Sequence, residues 1–558
     1  MAEEGLGARF ARLSNTIRIL RETKLLGNLG LAGIPVIRRA RKAGALGPQI
    51  LFALHAANIP NQTAIIFRDR KISYKELNDR INRTASGLLK LGLKPGDKVA
   101  LMVTNCNEYI ETSIALQKLG MSMVPLSTQL KAKEANYILS NSDATAVVLS
   151  DSKQDVIREA IAGNGKISES RCVVVGKASG KMTAYDEVQR SGSAEEVLVN
   201  LKEVKTSLIM YTSGTTGKPK GAERKMSSVG GDVILSYIDL NGLKARDVHY
   251  CPCPLYHAAP TAYNTLTWVL GGTVIIVEKF DAEQMLKDVE RYRVTTTQMV
   301  PTQFNRLVNL PAETLHEYDH SSLRVMITAA AYCSPALKKK ILDTFGPVLF
   351  EMYGATELGM VTVARPEDLK KNPSTIGKKV PAIEIRLLDD NGKEVGVDQP
   401  GELFVGSKFL IDGYYKDEAA TQSSKKGGFF SVGDVAKVDA EGYYYILDRK
   451  KDMVISGGVN IYPAEIEEEL LQHPAVFDAA VVGVPDEEWG EALKAFVVLK
   501  PGQKASEAEL IGFCAERLAK LKKPKSIEFM DELPRNPQGK VLKRELREKY
   551  WAGRETRV

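Results

Sequence analysis

Residues 211–221, YTSGTTGKPKG, form a run of hydroxyl residues and glycines that ends in two lysines. The run directly follows the apolar segment SLIM, which has the composition of a strand. Small residues let backbone N–H groups come close to an anionic ligand, and the hydroxyls and lysines add donors and positive charge. The stretch therefore predicts a phosphate-binding loop that follows a strand.

A Walker A loop has a different spacing. That motif needs Gly-x-x-x-x-Gly-Lys followed by Ser or Thr, whereas Pro219 follows Lys218 here and Gly214 lies only three residues before Gly217. The spacing excludes a P-loop NTPase. From these letters alone, an ordinary surface loop stays open as the alternative, because clusters of Gly, Ser, Thr and Pro commonly form such loops.

The composition indicates a globular protein with room for more than one domain. The chain has 558 residues, of which 44% are hydrophobic and 26% are charged. This length exceeds one typical domain and is ample for a large core with a smaller module. The values exclude a disordered chain, a collagen-like repeat and a small disulfide scaffold.

Cysteine usage and the first residues favour a cytoplasmic location. Six cysteines are scattered along the chain, and the first residues lack a signal-peptide pattern, which suits a reducing compartment. Cys251 and Cys253 form a C-x-C pair, but no second Cys or His pair follows at zinc-finger spacing. Because a lone pair leaves zinc two ligands short, we do not expect a structural zinc site.

Positive charge is concentrated at the start of the chain. Residues 1–42 hold nine basic and three acidic side chains, a net +6 out of the total of +7. A nucleic-acid-binding surface is therefore not expected.

The apolar run 25–37 has thirteen residues, fewer than the roughly 20 that a membrane-spanning helix needs. Two interpretations stay open: peripheral contact of residues 1–42 with anionic lipid, or a helical arm packed on the protein body.

Alternating strand and helix patterns predict an α/β fold. From about residue 61, short β-rich runs alternate with amphipathic segments, which is typical of parallel sheets covered by helices. The predicted strands are 64–67, 98–103, 144–150, 207–212, 273–278 and 323–328, and the predicted helices are 74–92 and 282–294. Over residues 401–449, short alternating strands separated by Gly-containing turns predict a small antiparallel sheet.

A fresh α+β pattern begins after residues 449–452, RKKD. The predicted helices there are 464–474 and 507–524, and the predicted strands are 478–486 and 491–502. We therefore predict three parts: a basic apolar N-terminal arm at 1–49, a large domain at 50–450 and a small domain at 451–558.

The stretch 211–221 resembles the ATP-phosphate loop of the adenylate-forming superfamily, which includes acyl-CoA synthetases, aryl-CoA ligases, luciferases and the adenylation domains of peptide synthetases. A second motif, YGATE at 353–357, is similar to that family's adenine and magnesium segment. The resemblance implies that Tyr353 stacks on the adenine, Thr356 contacts the α-phosphate and Glu357 holds Mg²⁺. The residue types suit these roles, because an aromatic face accommodates a purine and a hard cation prefers carboxylate oxygen.

Further motifs follow in the family's order. Asp434 matches the carboxylate that binds both ribose hydroxyls, and Arg449 matches the arginine beside it. Lys451 matches the hinge on which the small domain pivots. Gly457 and Gly458 match the loop that lines the pantetheine channel of CoA, where glycine lets a thiol tail pass close to backbone.

Lys540, in PRNPQGKVLKREL, matches the family's lysine that bridges the substrate carboxylate and the α-phosphate. A positive charge there counters the repulsion between two anions that must meet. The resemblance assigns catalysis to Lys540, Thr356, Glu357 and Lys220. It assigns ATP or AMP binding to Thr212, Ser213, Gly214, Thr215, Thr216, Gly217, Lys220, Glu351, Tyr353, Thr356, Asp434, Arg449 and Lys540.

The acyl side is less distinct. PLYHAAP places His257 at the family's position facing the acyl pocket, although a carboxylate nucleophile needs no general base. Ala329, Ala330 and Ala331 are expected to form one wall of the adenine and acyl pockets. Tyr332 stands where the family commonly has Pro, so its bulk is expected to change the shape of the pocket.

The resemblance covers residues 50–548 and implies an α/β fold: a large N-terminal adenylation domain with parallel-sheet layers and a small antiparallel subdomain, plus a small mobile α+β C-terminal domain. It implies an acyl-CoA synthetase that uses ATP, Mg²⁺ and coenzyme A to activate a carboxylic acid through acyl-AMP. The basic apolar arm and the small-residue wall favour a medium- to long-chain fatty acid drawn from a membrane. An aryl or steroid side-chain acid, transfer of the acyl group to a carrier protein, and a non-catalytic lipid-binding protein are the alternatives.

Overall fold

The computed structural model describes Arg21 and residues 30–163, 165–212, 219–225, 231–381, 383–457, 459–536 and 540–552. Within these residues the chain forms two large mixed sheets, a six-stranded antiparallel sheet and a five-stranded C-terminal sheet, with helices packed around them. The helices are α1 (Ile34–Lys42), α2 (Ile50–Asn58), α3 (Tyr74–Lys90), α4 (Asn107–Lys118), α5 (Ala132–Ser142), α6 (Gln154–Ala162), α7 (Tyr185–Ser191), α8 (Gly231–Leu240), α9 (Ala258–Val269), α10 (Ala282–Tyr292), α11 (Pro301–Val308), α12 (Ala312–Glu317), α13 (Pro335–Phe345), α14 (Pro366–Lys371), α15 (Glu418–Ser424), α16 (Pro463–Gln472), α17 (Glu507–Arg517) and α18 (Lys543–Trp551).

The strands are described in the same order. The first group comprises β1 (Thr63–Phe67), β2 (Arg70–Ser73), β3 (Lys98–Met102), β4 (Ser122–Pro125), β5 (Ala146–Ser150), β6 (Cys172–Val175), β7 (Thr183–Ala184), β8 (Ser207–Thr212), β9 (Lys220–Lys225), β10 (Val248–Cys251), β11 (Thr273–Ile276), β12 (Thr296–Met299), β13 (Val325–Thr328), β14 (Leu349–Ala355), β15 (Gly359–Ala364) and β16 (Lys378–Lys379). The second group comprises β17 (Glu384–Leu388), β18 (Gly401–Gly406), β19 (Gly413–Tyr414), β20 (Lys425–Lys426), β21 (Phe429–Phe430), β22 (Asp434–Val438), β23 (Tyr444–Arg449), β24 (Val454–Ser456), β25 (Val459–Ile461), β26 (Val476–Asp486), β27 (Gly490–Leu499) and β28 (Ser526–Phe529).

Both large sheets are parallel through their centres. The nine-stranded sheet has the order β16-β15-β14-β13-β12-β10-β11-β1-β2, and the eight-stranded sheet has the order β19-β9-β8-β4-β3-β5-β6-β7. Strands β5, β12 and β13 are buried along their whole length, as expected of parallel strands with helices on both faces. Since parallel strands of one sheet end at the same edge, the loops after β10, β12 and β13 gather at one rim, where α/β proteins bind ligands.

The two smaller sheets follow in the second half of the chain. Strands β17, β18 and β20 to β23 form the antiparallel sheet. In the C-terminal part, β26 and β27 form a long antiparallel hairpin to which β28 adds a parallel strand. The predicted fold class is confirmed: α/β layers, a small antiparallel sheet and a smaller α+β C-terminal part. Its mobility and the boundaries at 49 and 450 stay predictions.

Two local predictions differ from the structure. Residues 413–414, expected in the small antiparallel sheet, form β19 and pair with β9 at the edge of the eight-stranded sheet. The predicted helix 507–524 ends at Arg517, because Leu518 is extended and Lys520–Lys522 forms a separate 3₁₀ turn. The early end lets the chain turn into β28, which pairs with β27.

The predicted N-terminal arm is described from residue 30 onward, and residues 1–20 and 22–29 lie outside the described residues. Helix α1 buries Ala40 and packs against α2, where the neighbours of Gly33 are Leu54 and Asn58. Within the described ranges, helices long and apolar enough to cross a bilayer are absent.

Candidate active site

The predicted phosphate loop connects two paired strands. Strand β8 pairs with β9 in antiparallel register, and Thr212 lies opposite Lys220 at the end of the hairpin. The structure therefore brings together a hydroxyl and an ammonium group that are eight positions apart in the sequence. The other predicted loop residues, Ser213, Gly214, Thr215, Thr216 and Gly217, lie outside the described residues.

Glu357 contacts the end of this hairpin that adjoins the phosphate loop. The Thr212 hydroxyl donates to Glu357 Oε1 at 3.0 Å, and the Tyr414 hydroxyl lies 3.3 Å from the same oxygen. The Glu357 side chain is buried. The family resemblance assigns Mg²⁺ to Glu357, and a carboxylate together with nucleotide phosphate oxygens would suit this ion. This role of Glu357 stays a prediction.

Two further side chains reach the same place and were not among the predicted site residues. Arg224, on β9, is partly buried and donates to the backbone oxygen of Thr356 at 2.8 Å. Burial lowers the pKa of its guanidinium, while Tyr237 and Glu357 favour the charged form. Tyr414 lies with its ring 5.4 Å from Lys220 Nζ, within the range of a cation–π contact.

The predicted adenosine end of the site is held together by Asp434. Asp434 and Arg449 lie opposite each other on β22 and β23, and Arg449 Nε is 3.3 Å from Asp434 Oδ1. The Tyr353 hydroxyl donates to Asp434 Oδ2 at 2.6 Å. The structure thus brings together Tyr353, which the resemblance assigned to adenine, Asp434, which it assigned to ribose, and Arg449, the arginine beside Asp434.

Lys540 lies in the same site although it belongs to the C-terminal part. Burial lowers its pKa to about 8. The positive charge of Arg449 acts in the same direction, whereas the carboxylates of Asp434 and Glu357 oppose the shift. A lysine in this environment is still mainly charged at neutral pH.

His257, which was predicted to face the acyl pocket, lies near this lysine. Burial, followed by the charge of Lys540, lowers the pKa of His257 to about 4, so its imidazole is neutral at neutral pH. Ala329 is buried, and Ala330 has φ +72, a left-handed conformation that is uncommon for a residue with a side chain. Ala331, the last of the three alanines, is partly buried.

Tyr332 contacts the C-terminal part, and its effect on the shape of the pocket stays a prediction. Half of its surface is exposed, and its hydroxyl donates to Glu468 Oε2 on α16 at 3.1 Å. This hydrogen bond connects the predicted acyl-wall segment to the C-terminal part.

Glu351 is buried beneath the site and forms an ion pair with Lys338. Burial raises the pKa of Glu351, and the ammonium group of Lys338 opposes the shift. This carboxylate is occupied by an internal partner, so contact of Glu351 with ATP stays a prediction.

The predicted CoA loop and hinge lie in the C-terminal part and its junction. Gly457 has φ +57, and a Cβ atom there would lie 2.6 Å from Cε3 of Trp489. Gly458 lies outside the described residues. Lys451 follows β23 in a turn, and Arg547 Nη1 donates to its backbone oxygen at 3.3 Å.

Comparisons with known proteins identify the family. The family model for AMP-binding enzymes matches residues 52–415, and the model for the C-terminal domain of these enzymes matches residues 465–540. The chain belongs to the AMP-binding enzyme family. The prediction of an adenylate-forming enzyme of the acyl-CoA synthetase group is therefore confirmed, while the roles of individual residues stay predictions.

Individual members resemble the chain over nearly its whole length. Feruloyl-CoA synthase of an Amycolatopsis species is 34% identical over 528 residues, covering 94% of this chain and 99% of that protein. Long-chain-fatty-acid–CoA ligase FadD13 of Mycobacterium tuberculosis is 34% identical over 487 residues, covering 87% of this chain and 94% of that protein. The ATP-bound structure of MatB from Rhodopseudomonas palustris has a TM-score of 0.82 and 30% identity, covering 91% of this chain and 99% of that one.

Proposed function

We propose that this AMP-binding enzyme joins a carboxylic acid to CoA in two steps, through an acyl-AMP intermediate. The position of Lys540 carries the proposal. This partly buried lysine of the C-terminal part lies near enough to Glu357 and Asp434 of the large part to feel both charges. A cation close to the proposed magnesium ligand and the proposed ribose ligand is suited to the place where a carboxylate must approach the α-phosphate.

In the first step, a carboxylate oxygen of the acid attacks the α-phosphorus of ATP, the bond to the β-phosphate breaks and pyrophosphate leaves. Thr212 and Lys220 hold the phosphates in this proposal, and Glu357 holds Mg²⁺, which supplies positive charge to the phosphate oxygens. Lys540 reduces the repulsion between the two reacting anions. Ala329, Ala330 and Ala331, with the neutral His257, border the acyl group.

In the second step, the sulfur of CoA attacks the acyl carbon and AMP leaves with the electron pair of the broken C–O bond. We propose that rotation about Lys451 withdraws Lys540 and brings Gly457 and Gly458 to the channel for the thiol tail. Splitting the reaction through an activated intermediate avoids direct displacement of a poor leaving group.

A hydrophobic acid of medium or long chain is our first candidate for the substrate. FadD13, named for long-chain fatty acids, is one of the similar proteins. The name of feruloyl-CoA synthase supports an aryl acid as the second candidate.

ATP–pyrophosphate exchange tests the activity. Purified protein is assayed with a panel of alkanoic acids of increasing length and with aryl acids, and exchange that depends on one acid class is expected. Lys540→Ala should abolish exchange while leaving CoA transfer from supplied acyl-AMP largely intact. Absence of exchange with every acid would refute the proposed function, and equal loss of both half-reactions would refute the role of Lys540.

We further propose that the N-terminal arm rests on anionic membrane, which would give the enzyme access to lipid-derived acids. Leu31, Ile34 and Ile37 are 83%, 41% and 43% exposed, and the exposed basic residues Arg38 and Arg41 accompany them. Apolar and basic side chains on one short segment suit the interface of an anionic bilayer. Flotation with anionic vesicles should require residues 1–42; equal partitioning of a protein that lacks them would refute membrane contact.

A further inference from the structure

The layer between α9 and the nine-stranded sheet contains a buried amide that lacks internal partners. Gln298, the third residue of β12, is 2% exposed, and neither its Nε2 nor its Oε1 atom has a hydrogen-bond partner among the described residues. A buried primary amide is normally paired, because leaving its donor and acceptor unsatisfied is destabilising. This side chain therefore requires a partner from outside the described protein atoms.

The strand register fixes the face on which Gln298 lies. His249 and Thr296 are opposite each other on β10 and β12, and their side chains meet at 2.9 Å. His249 stacks on Tyr263 of α9, so this face of the sheet is the one covered by α9. Gln298 follows Thr296 by two residues and so points to the same face.

A second amide, on α9, reaches the same place. Asn264 is fully buried, its Nδ2 donates to Cys251 Sγ at 3.4 Å, and its Oδ1 has no partner among the described residues. Cys251 lies beside Gln298 when the register of β10 and β12 is continued by one residue, and adjacent strands are about 4.8 Å apart. Gln298 and Asn264 thus provide an unpaired donor group and two unpaired acceptors on the face that also carries His249 and Thr296.

The location relative to the reaction centre follows from helix geometry. His257, which lies near Lys540, is the N-cap of α9, and Asn264 lies seven residues further along. At 1.5 Å per residue this is about 10 Å. Gln298 is also the penultimate residue of β12, and it therefore lies at the rim where α/β sheets bind ligands.

We propose that Gln298, with Asn264 beside it about 10 Å along α9 from His257, is a specificity-determining residue that hydrogen-bonds a hydroxyl or keto oxygen of the acid. The proposal rests on the proposed function and narrows its substrate class to oxygenated hydrophobic acids. Two classes of acid carry such an oxygen: an alkanoic acid oxygenated along its chain, and an aryl-propenoic acid with a ring hydroxyl. A site built to hydrogen-bond a substrate oxygen discriminates strongly against the analogue without it, because its own polar groups are then left unpaired.

The test compares matched pairs of acids in ATP–pyrophosphate exchange. One pair is an alkanoic acid and its mid-chain hydroxy analogue, and the other is cinnamic acid and 4-hydroxycinnamic acid. In the wild-type protein, kcat/KM should favour the oxygenated member of one pair by about tenfold or more, and the favoured pair identifies the class of acid. In Gln298→Leu this preference should be lost, with the oxygen-free member used as well as before or better.

Gln303 supplies a matched control. Its amide lies nearby but is paired, with Nε2 donating to the oxygen of Pro252 and Oε1 accepting from the backbone N–H of Val300. Gln303→Leu should lower thermal stability without changing the preference within either pair.

Three results would overturn the proposal: a wild-type preference for the oxygen-free member of both pairs, an equal effect of Gln298→Leu on both members, or a rise in Tm in Gln298→Leu with an unchanged preference. The last result would show that the amide binds only buried water. Exchange with no acid at all would instead refute the proposed function, so the two failures are distinguishable.

Discussion

Thr212 and Glu357 are 145 positions apart in the sequence, yet the hydroxyl of one donates to the carboxylate of the other at 3.0 Å. Thr212 ends β8 in the eight-stranded sheet, and Glu357 lies in the turn between β14 and β15 in the nine-stranded sheet. The contact therefore joins the two large sheets at the proposed phosphate end of the site. It orients the one carboxylate that the family resemblance assigns to Mg²⁺.

We expect Thr212→Val to lower the kcat/KM of pyrophosphate exchange about tenfold, since a hydrogen bond to a charged group contributes about 1.5 kcal/mol. The exchange assay is repeated over a range of Mg²⁺ concentrations, where the variant should need more Mg²⁺ than the wild type. Thr212→Ser keeps the hydroxyl and should retain most of the activity. Wild-type behaviour of Thr212→Val would contradict the proposed role of this contact.

The environment of Lys540 predicts how adenylation depends on pH. Its pKa is lowered to about 8, so the ammonium group is present below that pH and is lost as the pH rises through it. The kcat/KM of exchange, which reports on the free enzyme, should therefore decline above about pH 8. Measurements at closely spaced pH values from neutral to alkaline would show this limb.

Lys540→Arg is the diagnostic variant, because a guanidinium stays charged throughout this range. Whatever activity it retains should lack the alkaline decline. An identical alkaline limb in the wild type and the arginine variant would assign the titration to another group.

The hydrogen bond between Tyr332 and Glu468 should favour the arrangement in which Lys540 is in the site. It links the acyl-wall segment to α16 of the C-terminal part. Because Tyr332 is half exposed, we expect a contribution of about 1 kcal/mol, or about fivefold in the population of this arrangement. Tyr332→Phe and Glu468→Ala should each slow pyrophosphate exchange by about that factor while leaving CoA transfer from supplied acyl-AMP unchanged or faster.

A double variant separates this interpretation from unrelated damage. If the two groups act through one hydrogen bond, the combined substitutions should slow exchange no more than either one alone. Additive losses, or equal slowing of both half-reactions, would contradict a role in domain arrangement.

The sequence could predict those parts of the site that lie in contiguous motifs. The hairpin strand 207–212 was predicted with its observed bounds, and Asp434 and Arg449 proved to be opposite each other. Tyr414 was missed because its short strand looked like part of the antiparallel sheet, whereas it pairs with β9. The partner of such a strand is decided by contacts between distant segments, which local patterns do not contain.

The polar layer around Gln298 illustrates the same limit. In sequence, TTTQM is a β-rich run in which one Gln is unremarkable, and Asn264 is one polar residue on an apolar helix. Only the register of β10 with β12 and the packing of α9 place the two amides near Cys251. Tyr332 was singled out for its bulk, and the sequence did not show that its hydroxyl reaches Glu468.

Gly457 provides a test of the proposed CoA channel. Its φ of +57 is unfavourable for alanine, and an added Cβ atom would lie 2.6 Å from Cε3 of Trp489. We expect Gly457→Ala to slow CoA transfer from supplied acyl-AMP by tenfold or more (about 1.4 kcal/mol), while pyrophosphate exchange changes little. Gly502→Ala is the matched control, because Gly502 also has a positive φ, +75, but open space around its Cβ position. Both variants share the backbone strain, so equal rates of CoA transfer in the two would show that contact at Gly457 does not matter to the thiol step.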